Sequence, residues 1–304
     1  MRIQYEDWAP TKASRLIVEQ ANQICVDYAR QGYDLTLRQL YYQFVARGLL
    51  ANTQRNYKNL GAIIDKARKA GLMDWSHIVD RTRNLMGRPT YNDPGAFVRA
   101  MAKRFHTDVW RDQPNRVEVW VEKEALAGVV GRAASSRGVD YFCCRGYVSQ
   151  SELHSAAKRL ERYAFEGQSP VVIHLGDHDP SGIDMTRDIA DRLAFFGADV
   201  EVRRIALNAD QIEAYNPPPN PAKLTDSRAG SYIERFGDES WELDALDPKT
   251  LVDLITAEID SCLDPSLYWR AMSAEAVAQE QLNELADRWP EVADFLTRAA
   301  GAES

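Results

Sequence analysis

Apolar residues recur along this chain with two different periods, and the period changes near residue 115. From Thr11 to Gln31, the residues Leu16, Ile17, Ala21, Ile24, Cys25 and Tyr28 keep a spacing near 3.6, which predicts a helix that Gly32 ends. Thr36 followed by Gln39 has capping-box spacing and predicts a second helix from Thr36 to about Gly48, with Leu37, Leu40, Tyr41, Phe44 and Val45 on one apolar face. A third helix is expected over Asn56 to Ala70, with Tyr57, Leu60, Ile63, Ile64 and Ala67 turned inward. Asp93-Pro94 opens a fourth that runs to about Phe105.

Beyond Asp112 to Asn115, the expected boundary, short apolar runs alternate with helical segments. Strands are expected at Arg116 to Val121, Val139 to Cys143, Val171 to Leu175 and Val200 to Leu207, and helices at Ala125 to Ser135, Ser151 to Phe165 and Thr186 to Phe196. That alternation predicts an α/β unit with a mostly parallel sheet flanked by helices. Asn216 to Pro221 is a stiff extended connector, Asp226 to Phe236 and Pro248 to Cys262 read as helices, and Ser273 to Ala300 as amphipathic helices that serve packing or dimerisation. The expected organisation is three parts: 1–112, 113–262 and 263–304.

Candidate chemistry sits where strands hand over to helices. Pro170 to Asp184 reads PVVIHLGDHDPSGID: a buried strand, then Asp177-His178-Asp179, then a turn into a helix. Carboxylates two residues apart project the same way, into the crevice where open α/β sheets bind ligands. Packed that close they repel one another, and a divalent cation relieves the repulsion. The alternative is an Asp-rich turn that caps a helix. Glu122, at the end of the earlier strand RVEVWV, stands in the corresponding position and favours the metal. Glu124 and Asp184 read as solvated helix residues, and Glu242 and Asp244 as surface acids, the alternative for these two being support behind the metal ligands or contact with a nucleic-acid strand. On the second helix, Arg38 and Tyr42 are four apart and share its flank, so Tyr41 is expected in the core and Tyr42 to show its hydroxyl beside an arginine. Geometry alone does not make Tyr42 a nucleophile, because half-exposed tyrosines are commonly amphipathic packing residues.

Net charge changes the picture once it is divided. The chain carries 37 Lys and Arg against 45 Asp and Glu. Residues 1–112 hold 18 of the basic residues and 11 of the acidic ones, which leaves 19 against 34 for the remainder. This asymmetry points to a basic module joined to an acidic one. Arg55, Lys58, Lys66, Arg68 and Lys69 on or beside the third helix, with Arg81, Arg83 and Arg88 after Trp75 to Val79, suggest a winged helix-turn-helix that meets double-stranded DNA. The other reading is a solvated basic face. The four cysteines show no CxxC spacing and read as reduced thiols, and the five histidines build no zinc signature. The apolar runs are too short to span a membrane, and MRIQYEDWAP lacks a secretory h-region, so a cytoplasmic protein without a membrane partner is expected.

One Glu on a first strand and a DxD on a later one resembles the Toprim domain of topoisomerases, primases and some nucleases. That resemblance implies a Rossmann-like α/β domain in which Glu122, Asp177 and Asp179 hold Mg²⁺, with Mn²⁺ as a substitute. Arg38-Gln39-Leu40-Tyr41-Tyr42 resembles the tyrosine motif of the topoisomerase VI A subunit and the related meiotic double-strand-break proteins. In that family a winged-helix (CAP-like) domain bearing the tyrosine precedes the Toprim domain. Arg145-Gly146-Tyr147 and Glu242-Leu243-Asp244-Ala245-Leu246 are similar to later motifs of the family, and the likeness covers roughly residues 33–260. It is nearest to compact, stand-alone A-subunit-like proteins of mobile elements. The resemblance implies Tyr42 as nucleophile, Arg38 as its phosphate-binding helper, a covalent link to a DNA 5′ end, and a homodimer in which each tyrosine meets the other subunit's acids. Gln39 stands where family members carry an acid. No Gly-rich nucleotide loop appears, so ATP-driven strand passage would need a separate GHKL-type ATPase B subunit. Two other readings stay open: a Toprim nuclease that hydrolyses DNA with Tyr42 only structural, and a non-catalytic DNA-binding regulator.

Overall fold

The computed structural model describes residues 2–79, 89–221 and 228–301. Helices come first: α1 (Lys12–Arg30), α2 (Leu37–Ala46), α3 (Gln54–Lys69) and α4 (Pro94–Ala102). An alternating section follows, with β1 (Asn115–Val121), α5 (Ala127–Ser135), β2 (Asp140–Cys143), α6 (Gln150–Phe165), β3 (Ser169–Leu175), α7 (Pro180–Phe195), β4 (Glu201–Ala206) and α8 (Ala209–Tyr215). A two-residue pair, β5 (Asn220–Pro221) with β6 (Glu239–Ser240), brackets α9 (Ala229–Phe236), and α10 (Pro248–Ser261), α11 (Pro265–Asp287) and α12 (Trp289–Gly301) close the chain. The expected α/β class holds as a mixed architecture of N-terminal helices, a parallel four-stranded sheet with interleaved helices, and C-terminal helices. No helix among the described residues is long and apolar enough to cross a membrane.

The chain divides into two compact units. One is drawn from Met1–Arg83 and Arg116–Ser261, the other from Asn84–Asn115 and Cys262–Ser304. In the second unit α4 packs along α11, and Gly95 lets the helix approach closely, because a Cβ there would lie 3.0 Å from Trp289 Cβ. Gln113 exchanges two hydrogen bonds with the backbone of Asp264, and buried Glu275 accepts from the Thr107 N–H at 2.6 Å.

The larger unit has two cores. The first gathers the inward faces of α1, α2 and α3, including Ile24, Tyr28, Leu40, Phe44, Leu60 and Ile64. Each helix starts on a threonine whose hydroxyl accepts an N–H of the first turn: Thr11, Thr36 and Thr53. At α2 the capping box is complete, because Gln39 Oε1 returns a bond to the Thr36 N–H at 2.9 Å. The stretch expected as a basic wing, with Arg81, Arg83 and Arg88, lies outside the described residues.

The second core lies under one face of the sheet, between Trp120 of β1, Leu153 and Leu160 of α6, and Met185, Ile189 and Leu193 of α7. Strand order is β2-β1-β3-β4. Glu118 on β1 is buried and accepts from Trp120 Nε1 at 3.0 Å, while Arg159 grips both its oxygens at 2.7 and 2.9 Å. Arg159→Met removes the guanidinium that pairs with both oxygens of Glu118. It is expected to destabilise the fold by about 2 kcal/mol, less than for a fully buried pair because Arg159 is partly exposed, as urea unfolding would show.

Candidate active site at the carboxyl edge of the sheet

β1 connects outward to β2, and β3 connects outward to β4, so the two central strands diverge in topology while they lie side by side. The crevice beyond their carboxyl ends is the place where an open α/β sheet binds ligands. Glu122 follows β1 directly, and its N–H donates to Leu175 O at the end of β3. Asp177 and Asp179 follow β3. Glu122 Oε2 accepts the Asp177 N–H at 2.9 Å, so the three expected acids converge on one edge.

Two glycines allow that convergence. A Cβ on Gly176 would come within 3.0 Å of Glu122 Oε2, and one on Gly182 within 2.2 Å of Asp177 O. Asp179 is the N-cap of α7, and its Oδ1 accepts from the Gly182 N–H at 2.6 Å and from Ser181 at 3.0 Å. The expected helix at Thr186 therefore begins six residues earlier, at Pro180, because the DxD turn is itself the cap. His178 points the other way, as strand alternation requires, and packs among Tyr232, Phe236 and Trp241 with Nδ1 2.8 Å from the Tyr232 hydroxyl. Its backbone pairs with Trp241, which carries the 241–244 segment to the acids.

Four residues that complete the site were not singled out as such in the sequence: Lys123, Arg204, Glu242 and Asp244. Lys123 Nζ lies 2.8 Å from Asp177 Oδ2, 2.6 Å from Glu242 Oε2 and 3.2 Å from Asp244 Oδ1. The other oxygen of Asp177 accepts the Leu243 N–H at 2.8 Å. Arg204 of β4 donates to the carbonyls of Gly176 at 3.0 Å, Asp177 at 2.7 Å, Gly182 at 2.9 Å and Leu207 at 3.2 Å, and so clamps the DxD loop. Burial lowers its guanidinium to about 10. Glu242 and Asp244, expected at the surface, are instead part of this network, and Asp244 is only 2% exposed. Pairing with cations from two directions makes their burial tolerable. Glu124 and Asp184 stay peripheral; the first pairs with Arg145 and the second with Arg187, Arg228 and the Tyr147 hydroxyl.

The second direction is α2. Arg38 bonds Glu242 Oε2 through Nη2 and lies 3.0 Å from Asp244 through Nε. Burial alone would lower Arg38, but Asp244 and Glu242 outweigh it and raise it above the usual arginine range. The guanidinium lies 5.9 Å from the Tyr42 ring centroid. Tyr42 is not half-exposed as expected: both tyrosines are buried, each 4% exposed. Tyr41 is the anchored one, since its hydroxyl accepts the Thr53 N–H at 2.7 Å and donates toward Thr53 O at 3.0 Å. Tyr42 is covered because the Glu242 to Ala245 segment packs on α2, a contact no local pattern announces. Burial, then Asp244 and Glu242, push its phenol up, against the opposing pull of Arg38. Both tyrosines line a cavity of about 320 Å³ with Arg38, Asn52, Gln54, Tyr57, Asn220 and Glu242.

Of the expected DNA-contacting residues, Arg55, Lys58 and Lys66 lie exposed along one stripe of α3, opposite buried Leu60, Ile64 and Ala67. Arg68 is spent inside the fold, stacked 4.4 Å from the Trp75 ring centroid and donating to Trp75 O and Ile78 O. Lys69 pairs with Asp65 at 2.9 Å. Arg81 and Arg83 lie outside the described residues.

Among the described residues, no three His, Cys, Asp or Glu side chains are arranged to hold a metal ion. The donor set nevertheless has the chemistry of a hard-cation site, all carboxylate oxygen. Five carboxylates (Glu122, Asp177, Asp179, Glu242, Asp244) share the pocket with three cations, Lys123, Arg38 and Arg204. Burial pushes Glu122 up and pushes Asp177 up to about 7, with Glu122 adding to the latter. The carboxylates raise Lys123 against the effect of its burial. The shifts of Glu122 and Asp177 report their burial first, and that of Lys123 reports the carboxylates around it. In comparisons with known proteins, no family model matches the chain and no curated protein is significantly similar to it.

Proposed function

We propose that this chain is a DNA-cleaving transesterase that resembles the topoisomerase VI A subunit, with α1 to α3 as a winged-helix module and the four-stranded sheet as a Toprim domain. The observation that carries the reading is the continuous charge network within one unit, which runs from Tyr42 and Arg38 through Glu242 and Asp244 to Lys123 and Asp177. A nucleophile, a phosphate-binding cation and a metal-ligand carboxylate thus belong to one electrostatic system.

Arg55, Lys58 and Lys66 would hold the duplex by its phosphates, an attraction that weakens with salt. Arg38 would exchange its carboxylate partners for the scissile phosphate and steady the charge that builds on it. The Tyr42 phenol would give its proton to Glu242 or Asp244, whose charges already act on it, and its oxygen would attack phosphorus. The P–O3′ bond breaks, the 3′ oxygen takes up a proton, and the protein is left joined to the 5′ phosphate. Glu122, Asp177 and Asp179 would hold Mg²⁺ or Mn²⁺, which supplies Lewis-acid stabilisation of phosphate or leaving-oxygen charge. A homodimer carrying two such sites would cut both strands.

Incubation with supercoiled plasmid and Mg²⁺, quenched with SDS, tests this. DNA ends that enter a gel only after protease digestion support the transesterase, and their absence under every metal condition overturns it. Arg38→Ala is expected to lower the yield of such ends at least about a hundredfold, the scale of losing one transition-state cation. The burial of Tyr42 favours a second reading, a metal nuclease that uses water, with Tyr42 purely structural. That enzyme would give free ends without protease.

A further inference from the structure

We propose that the ammonium of Lys123 is a resident cation that stands in for a divalent ion at Asp177 and competes with it. This inference rests on the metal reading above and adds what controls access to that site.

Both oxygens of Asp177 are engaged as it stands, with Lys123 Nζ on one at 2.8 Å and the Leu243 N–H on the other at 2.8 Å. It is 6% exposed, so solvent cannot substitute for a missing partner. Lys123 adjoins Glu122 in sequence, which places a built-in positive charge one residue from an expected ligand. Its other contacts, Glu242 at 2.6 Å and Asp244 at 3.2 Å, lie on the far segment and are not among the three expected ligands. A flexible four-carbon stem lets the ammonium leave Asp177 and keep those two partners. The protein can then hold its carboxylates together without metal, and a divalent ion must displace a cation to enter. An ammonium and a divalent ion on the same carboxylate would repel strongly where so little water screens them, so the competition has a measurable size.

The test is Mn²⁺ binding by the full-length protein, followed by electron paramagnetic resonance, together with thermal melts in EDTA and in Mn²⁺. Lys123→Gln removes the charge while its amide still donates hydrogen bonds. It is expected to bind Mn²⁺ at least about tenfold more tightly than the unaltered protein. It should also melt lower in EDTA and regain stability in Mn²⁺, a recovery much larger than the unaltered protein shows. Lys123→Arg, which keeps the charge, should bind no more tightly than the unaltered protein. Lys123→Gln that folds only when Mn²⁺ is present supports the same role in an extreme form. Equal Mn²⁺ affinity for Lys123→Gln and the unaltered protein, or a lower melting point that Mn²⁺ fails to correct, overturns the resident-cation role and leaves the metal reading standing. No Mn²⁺ binding by either protein overturns both.

Discussion

Tyr42→Phe is expected to abolish protein-linked DNA ends while it leaves the fold and DNA binding in place. The ring stays where it is, 5.6 Å from the Tyr41 ring centroid and beside Arg38, and only the hydroxyl is lost. Stability should fall by about 2 kcal/mol, the worth of one hydrogen bond to a charged neighbour. Covalent cleavage should fall by at least about 10⁴-fold, because no other hydroxyl replaces a nucleophile held in position. Protease-treated and untreated SDS gels read the cleavage, and fluorescence anisotropy with a short duplex reads the binding. Unchanged free-end cleavage by Tyr42→Phe would establish the hydrolytic nuclease instead. Mixing Tyr42→Phe with Asp177→Asn protein separates two arrangements of the site. Cleavage restored in the mixture means that each tyrosine works with the acids of a second copy, and no restoration means that both halves serve from one chain.

The second large effect is expected from a single methyl group. Gly182→Ala would bring a Cβ to 2.2 Å from the Asp177 carbonyl oxygen, a backbone atom that has nowhere to go. Arg204 holds that same oxygen at 2.7 Å and the neighbouring carbonyls of Gly176 and Gly182, while Asp179 pins the first turn of α7. Relief must come from moving the loop that carries two of the expected ligands. Destabilisation of about 3 kcal/mol or more is expected, together with loss of cleavage. Urea unfolding and the plasmid assay read the two parts. Gly230→Ala is the control: its added methyl meets open space in α9, so it should be neutral or slightly stabilising.

Much of the architecture was legible because it is written in local periods and punctuation. The threonine caps of α1 and α2, the strand-like runs of β1 to β4 and the DxD turn are each set by residues within one or two turns of one another. Glu122 and Asp177 were legible as partners for a topological reason: a parallel sheet brings the carboxyl ends of its strands to one edge. Glu242 and Asp244 were marked only by the motif resemblance, and their burial was not legible, since two acids flanking a leucine have the local pattern of a solvated turn. They become internal through the pairing of His178 with Trp241 and the packing of Leu243 to Ala245 on α2. Lys123 and Arg204 escaped for a related reason. A lysine after a strand and an arginine within one are ordinary surface residues until their partners are known.

By itself, then, the sequence determined the succession of helices and strands, the parallel α/β pattern, the basic stripe on α3 and the identity of the acids at the strand ends. Those depend on spacing, which the chain carries in itself. Tertiary structure alone decided that Tyr42 is buried, that Arg68 supports the fold from within, and that the cation beside Asp177 is Lys123. Tyr42 and Lys123 are settled by groups far apart in sequence, and Arg68 by a turn that folds Trp75 and Ile78 back onto α3; charge pairs such as Lys123 with Asp177 are strong because the fold removes them from water.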